Sequence, residues 1–279
     1  MIVVLDNSGR LCNRLVLFAH ACATAIESKQ TISHLIADDV VSYAKLDCLT
    51  LKKYNVSCRL GIWGLAFLLR CRQAFHERVR PIDIEKYKAG NTDRSEKMIA
   101  MPSRLHIVSC WYYRNPKALM RQRDKICSIL APKDEFVKRA RIFANEIRSH
   151  VLGLVGVHVR RGDYREFCEG RYFFSNEQYV RFMKMAQQVL PDGYRFVLVS
   201  DEPLDEGFFR QNGLDAYVFH GEDFREDLVM LSLCEYVMGP WSTFSWWAAY
   251  YGGGDLCHLH AYDDVIDAKS FCKVTGFEV

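Results

Sequence analysis

Along this chain, short β-branched apolar runs alternate with stretches that have helical spacing. Ile2 to Leu5 predicts a first strand, and DNSGRLCN supplies turn residues after it. Leu11, Leu15, Phe18, Cys22 and Ile26 then recur at spacings of four, three, four and four, which is one face of a helix. Strand, glycine-containing loop and helix in that order open an α/β layer. Between residues 31 and 100 the pattern mixes helix-like stretches (Ile62 to Phe75) with polar loops, and Gly90 to Glu96 reads as an exposed loop. LHIVSC, Leu105 to Cys110, predicts another strand, followed by the aromatic cluster Trp111, Tyr112 and Tyr113.

Pro132 suits the first turn of a helix whose apolar face is Phe136, Val137, Ala140, Phe143 and Ile147. We place a domain junction here, giving domains 1–132 and 133–279. Beyond it the alternation is clean. Strands are predicted at Leu154–Val159, Phe196–Ser200, Ala216–Phe219, Val237–Gly239 and Leu256–His260. Helices are predicted at Asn176–Leu190, Glu226–Tyr236 and from near Ser242. Such alternation implies a parallel sheet with ligands at the carboxyl ends of its strands.

Composition narrows the class. The chain has 279 residues, 49% hydrophobic and 25% charged, which is ordinary globular composition with enough length for a sizeable core. A net charge of +3 is too mild to argue for nucleic acid. Charge is uneven, however: Arg104 to Arg141 holds ten Lys or Arg against three Asp or Glu. One reading is a solvated helical face, and the other is a rim that attracts an anionic ligand or a membrane surface. Eleven cysteines, with no C-x-x-C pair, fit reduced thiols in a cytoplasmic protein better than a disulfide framework or a zinc site. The first strand starts at once, so no signal peptide is expected, and no apolar run is long enough to span a membrane.

Candidate chemistry centres on HVRRGDY, His158 to Tyr164, where two arginines follow a buried-type strand. Period-two alternation puts His158 and Arg160 on one face and Arg161 on the other side or in the turn. A guanidinium fork matches phosphate oxygens and stays charged, so two of them suit a diphosphate; pairing with Asp163, Glu166 and Glu169 is the competing reading. Further on, Ser242, Thr243 and Ser245 fall at a helix start, where capping side chains and outward N–H groups favour an anion. Trp246 and Trp247 then bury that helix.

HVRRGDY together with the later D-x-x-x-x-S-x-C and STFSWWAA segments resembles the α-1,2-fucosyltransferase family, whose hallmark H-x-R-R-x-D is shared more loosely with α-1,6- and protein O-fucosyltransferases. FVLVSDE, Phe196 to Glu202, resembles that family's strand ending in an acidic pair. SGRLCNRLVLFAHACATA resembles its Gly-rich loop, Asn and helix, with Cys12 where a glycine is common. The resemblance covers residues 1–27 and 150–254; the segment 30–130 does not align by eye and is expected to carry the acceptor site.

The resemblance implies two Rossmann-like domains facing a cleft, the glycosyltransferase B-type arrangement, with the carboxyl-terminal domain holding GDP-β-L-fucose and the amino-terminal domain on the acceptor side. By motif match, Arg160 clamps the β-phosphate, Arg161 supports the strand end or the second phosphate, and His158 faces the nucleotide. Asp201 reaches the ribose or guanine, and Asp227 accepts from the guanine N–H edge. Ser242, Thr243 and Phe244 bring donors to the phosphates. Asn13, in the loop after the first strand, approaches the fucose. Asp163 is the first candidate for general base, with Glu166 and Asp6 as alternatives; Asp163 as an anchor of the arginines is the competing role.

The expected function is inverting, metal-independent transfer of L-fucose to a glycan hydroxyl, α-1,2 to galactose, with no cofactor. The alternatives are another fucosyl linkage, α-1,6 or protein O-linked, and a non-catalytic nucleotide-sugar-binding protein. Expected partners are GDP-fucose and a glycan or lipid-linked oligosaccharide acceptor, with a peripheral contact at the inner membrane face as one reading of the basic stretch.

Overall fold

The structure is a computed structural model and describes residues 2–4, 9–34, 38–46, 56–57, 106–108, 111 and 113–275. The helix-like stretch Ile62–Phe75, the loop Gly90–Glu96, Tyr112 and Asp6 lie outside the described residues. The chain divides into two compact units, Met1–Lys133 with Thr275–Val279, and Asp134–Val274.

The first unit carries strands β1 (Ile2–Val4), β2 (Ile32–His34), β3 (Val56–Ser57) and β4 (His106–Val108), all parallel, in the order β3-β2-β1-β4. Its helices are α1 (Leu11–Glu27), α2 (Asp38–Tyr43), α3 (Pro116–Arg121) and α4 (Arg123–Ile129). Helix α1 is buried on nearly every side from Leu15 to Ala25, more than the single predicted stripe, so its few polar groups must be satisfied inside the protein. The Thr24 hydroxyl pairs with the Tyr113 hydroxyl at 2.7 Å and accepts from Asn115 Nδ2 at 2.9 Å. The Asn115 backbone N–H donates to His20 Nδ1 at 3.0 Å, and Asn115 Oδ1 caps α3 by accepting from Ala118 N. Burial and the nearby Arg114 charge bring the His20 imidazole down to about 3, so it stays neutral. Asn115→Ala removes a cap and a buried bond together. It is expected to cost about 2 kcal/mol, read as a lower urea midpoint; an unchanged midpoint would mean that this network is not stabilising.

The second unit is a six-stranded sheet, β5 (Gly153–Val159), β6 (Tyr194–Ser200), β7 (Ala216–Val218), β8 (Tyr236–Pro240), β9 (Asp255–Leu259) and β10 (Cys272–Lys273), in the order β10-β9-β8-β5-β6-β7. All pairs are parallel except β9 with β10. Its helices are α5 (Asp134–Arg148), α6 (Asn176–Val189), α7 (Glu206–Gln211), α8 (Phe224–Ser232) and α9 (Thr243–Gly252). Alternation along β5 sends Val155, Val157 and Val159 into the core shared with Tyr179, Phe182 and Met183 of α6. The opposite parity faces α8, where a Cβ on Gly156 would meet Leu231 at 2.7 Å. The order runs outward from β5 through β6 to β7 and then restarts on the other side at β8. The carboxyl ends of β5 and β8 therefore flank a topological switch point, where a doubly wound sheet opens a crevice.

Several predicted boundaries move. Pro132 precedes α5 and bridges to Ala44 instead of opening the helix. The helix predicted over Glu226–Tyr236 ends at Ser232, and Tyr236 already belongs to β8. The mostly apolar stretch from Leu228 to Val237, interrupted only by Ser232 and Glu235 and holding no Gly or Pro, hides that change of period, which is made by the turn at Leu233–Glu235. Helix α7 was not predicted; its start is capped by Asp205 Oδ1, which accepts from Gly207 N at 2.8 Å.

Candidate functional site

At the carboxyl end of β5 the chain turns sharply, and its alternation separates the two arginines. Arg161 is buried at 6% exposure. Its guanidinium donates to Asn176 Oδ1 at the start of α6 and lies over the rings of Phe173 (5.2 Å) and Tyr179 (5.5 Å). This arginine ties the strand end to the α6 face. Arg160 points the other way, with 17% of its side chain exposed. It pairs with Asp163 and, through Nη1, with Asp201 Oδ2 at 2.8 Å, and it stacks 5.6 Å over the Tyr164 ring. Two carboxylates and a ring thus fix the direction of one guanidinium beside the switch point.

Asp163 and Asp201 therefore act on the arginines. Asp201 Oδ1 also accepts from the Arg161 backbone N–H at 2.8 Å, so one carboxylate holds both halves of the Arg-Arg turn. Asp163 is Arg160's ion-pair partner, the anchoring role of its two sequence readings. Glu166 lies exposed in the short helical turns that follow, where its carbonyl accepts from Glu169 N.

His158, one turn of pleat below Arg160, is buried. Its Nδ1 pairs with Ser245 Oγ at 2.8 Å and its ring tilts against Phe244 at 4.8 Å. Burial, then the Arg160 and His258 charges, bring it down to about 3, so it is a neutral, oriented imidazole. Ser242 is the N-cap of α9, and its Oγ accepts from Phe244 N at 3.1 Å. The Phe244 N–H is thereby already used within the cap. Thr243 occupies the first helical position, and Trp246 and Trp247 bury the helix behind it. Tyr164 links the two strand ends, because its hydroxyl donates to the Trp241 carbonyl at 2.9 Å and lies beside Ser242.

Asp227, in the first turn of α8, is the least satisfied carboxylate of the site. Its Oδ1 is buried without a hydrogen-bond partner. Burial pushes the carboxyl up to about 7; the Gly221 N–H opposes this, while Glu226, Asp223 and Asp201 add to it. Gly221 makes room for it, since a Cβ there would stand 2.7 Å from that oxygen. A buried acceptor with no donor costs free energy unless a ligand supplies one.

In the first unit, Asn13 lies in the first turn of α1, not in the preceding loop. Gly9, at φ 73°, allows its close approach: a Cβ at Gly9 would stand 1.9 Å from Asn13 Nδ2. Most described arginines of the basic stretch are engaged within the chain. Arg121 is bidentate to Glu27, Arg139 pairs with Glu222, and Arg114 donates to the carbonyls of Trp111 and Tyr113. Among the described residues no group of three or more His, Cys, Asp or Glu could hold a metal ion, and no helix is long and apolar enough to cross a membrane.

Sequence reasoning did not single out Tyr164, Tyr179, Trp241 or Ser245's bond to His158. Tyr164 stands inside the quoted motif; the other links join residues far apart in the chain and carry no local signal.

The family model described as Glycosyl transferase family 11 matches residues 69–271, a span that includes the HVRRGDY and STFSWW segments and begins after Asn13. Galactoside alpha-(1,2)-fucosyltransferase 1 of Ateles belzebuth and that of Saimiri sciureus are each 31% identical over 111 residues, 38% of this chain but 30% of their own length. Among solved structures, a mutant of Arabidopsis thaliana FUT1 in complex with GDP is similar over 100% of this chain and 74% of its own, with a TM-score of 0.59 at 12% identity. The fucosyltransferase NodZ from Bradyrhizobium is similar over 92% of this chain and 94% of its own, with a TM-score of 0.57 at 14% identity. At such identities the likeness is one of fold: an α/β architecture built on mostly parallel sheets.

Proposed function

Because this chain belongs to glycosyl transferase family 11, we propose that it transfers L-fucose from GDP-β-L-fucose to a glycan hydroxyl, forming an α-1,2 bond to galactose with inversion and without a metal ion. One observation carries the reading: Arg160, held by Asp163 and Asp201, stands at the switch point beside the Ser242-capped start of α9. The α-1,2 linkage rests on the names of the curated relatives.

The chemistry follows from charge. As the bond between fucosyl C1 and the β-phosphate oxygen breaks, its electron pair stays on the phosphate. Of the five N–H donors of Arg160, two serve its carboxylates; the rest of the fork is aimed before the substrate arrives, so no reorganisation accompanies the growing charge. The start of α9 adds its dipole, and neutral His158 adds no competing charge. Asp227 takes the guanine edge, where N1–H and the exocyclic amine supply the donors that its Oδ1 lacks. The acceptor oxygen attacks C1 from the opposite face and loses its proton to a base or to solvent. A fold of the GT-B class and a role for Asn13 at the fucose complete the proposal. A cytoplasmic location is part of this proposal; among the described residues, thiols at Cys168, Cys234, Cys257 and Cys272 are compatible with it.

A donor screen tests this reading. GDP-fucose is expected to raise the melting temperature by several degrees where UDP-sugars do not, EDTA is expected to change nothing, and GDP is released when a β-galactoside is added. A shift that requires a divalent ion, or one that is equal for UDP-sugars, would defeat it.

A further inference from the structure

Beside Arg160 the chain builds a run of aromatic rings that begins at Tyr164, passes over the buried Tyr172 and reaches the surface at Phe167. Tyr164 meets Phe167 at 5.1 Å and Tyr172 at 6.4 Å; Phe167 meets Tyr172 at 6.1 Å, and Tyr172 meets Trp241 at 6.0 Å. The run starts under the Arg160 guanidinium and ends at Trp241, the residue before the Ser242 cap. It is anchored at its centre by the Tyr164 hydroxyl on the Trp241 carbonyl. Tyr172 is 8% exposed, yet Phe167 remains 42% exposed. Phe167 is held out by a costly turn. Cys168 and Glu169 both adopt left-handed backbone angles, at φ 50° and 59°, before Gly170 at φ 76°. Two non-glycine residues in that region cost about 1 kcal/mol or more each and persist only where the surroundings impose them.

An exposed phenyl ring continuous with a phosphate-binding arginine needs an occupant that is flat, has one apolar face and is otherwise polar. A pyranose fits. Its ring hydroxyls want water or hydrogen bonds, while one face gathers C–H groups; galactose, with its axial 4-hydroxyl, presents those of C3, C4 and C5 together. Polarised C–H groups are attracted to the negative face of an aromatic ring. We infer that Phe167, backed by Tyr164, Tyr172 and Trp241, is a stacking shelf for a pyranose ring of the glycan acceptor. The donor's own sugar is a second pyranose, attached directly to the β-phosphate. It belongs next to Arg160, whereas Phe167 lies one ring further out and is open to solvent. The inference rests on the proposed fucosyl transfer and specifies its acceptor side.

The test uses the full chain with Phe167→Ala and, as the conservative variant, Phe167→Trp. Methyl β-glycosides of galactose, glucose and N-acetylglucosamine are offered as acceptors, and acceptor KM, kcat, slow GDP release without acceptor, and affinity for GDP and GDP-fucose are measured. The wild type is expected to use at least one glycoside. Phe167→Ala should raise its KM about three- to tenfold, with kcat and both donor affinities within about twofold of wild type. Phe167→Trp should restore KM. Because Phe167 is exposed, circular dichroism should show an intact fold. An unchanged acceptor KM in the Ala variant overturns the shelf. So does a loss of affinity for GDP-fucose but not GDP, which would give the ring to the donor sugar. No GDP release from GDP-fucose by the wild type would defeat the underlying transfer reading instead, and wild-type hydrolysis with no transfer to any glycoside would defeat the pyranose acceptor.

Discussion

Arg160→Ala is expected to lower turnover of GDP-fucose by about a thousandfold, the scale at which preorganised cations act on a transferring phosphoryl oxygen. The fold should survive, because the carboxylates it releases are not deeply buried: Asp163 and Asp201 keep 46% and 26% side-chain exposure. Arg160→Lys retains the charge but has no planar fork. It cannot satisfy Asp163, Asp201 and a phosphate together, so an intermediate loss of about ten- to a hundredfold is expected. Single-turnover release of GDP, followed beside a thermal melt, separates the chemical effect from the structural one. Turnover of the Ala variant within about threefold of wild type would remove Arg160 from the phosphate. Arg161→Ala should behave differently. Its partners are Asn176, Phe173 and Tyr179, so it should lower the melting temperature first.

Asp227 should reveal itself through pH. Its carboxyl is held up to about 7 by burial, so near neutrality much of it carries a proton. A guanine edge presents donors and needs the carboxylate. Binding must therefore expel that proton, and affinity should fall as pH drops below about 7, by up to about tenfold per unit. Guanosine is the probe of choice, since it has no phosphate to titrate over the same range. Asp227→Asn is expected to weaken guanosine about ten- to a hundredfold at pH 8 and to flatten the profile. The same substitution should stabilise the free protein at pH 8. A folded pKa above the unfolded one contributes stability at low pH that is lost as pH rises through about 7, and an amide does not titrate. Weaker guanosine binding together with a higher melting temperature is a pairing that a purely structural aspartate would not produce. A pH-independent wild type would sink the assignment.

Local patterning carried most of the second unit. Period-two runs such as Leu154–Val159 and Phe196–Ser200, and the capped start at Ser242, each depend on neighbours in the chain. Boundaries failed where an apolar run changed period without a breaker, as between α8 and β8. The acceptor-side expectations fall largely on residues outside the described ones.

The sequence by itself determined the alternating architecture and the chemical types at the site: two guanidiniums, a capped helix start, and acids after β6 and in α8. Only the tertiary structure decided their division of labour. Alternation plus the packing of α6 sent Arg161 inward, and two carboxylates aimed Arg160 outward. The fold also joined His158 to Ser245 and Tyr164 to Trp241, and left one oxygen of Asp227 without a donor. The physical reason is that a residue's type is a local property. Which hydrogen bonds are already made, and which are left for a ligand, depends on partners that the chain brings together only when the strands pair.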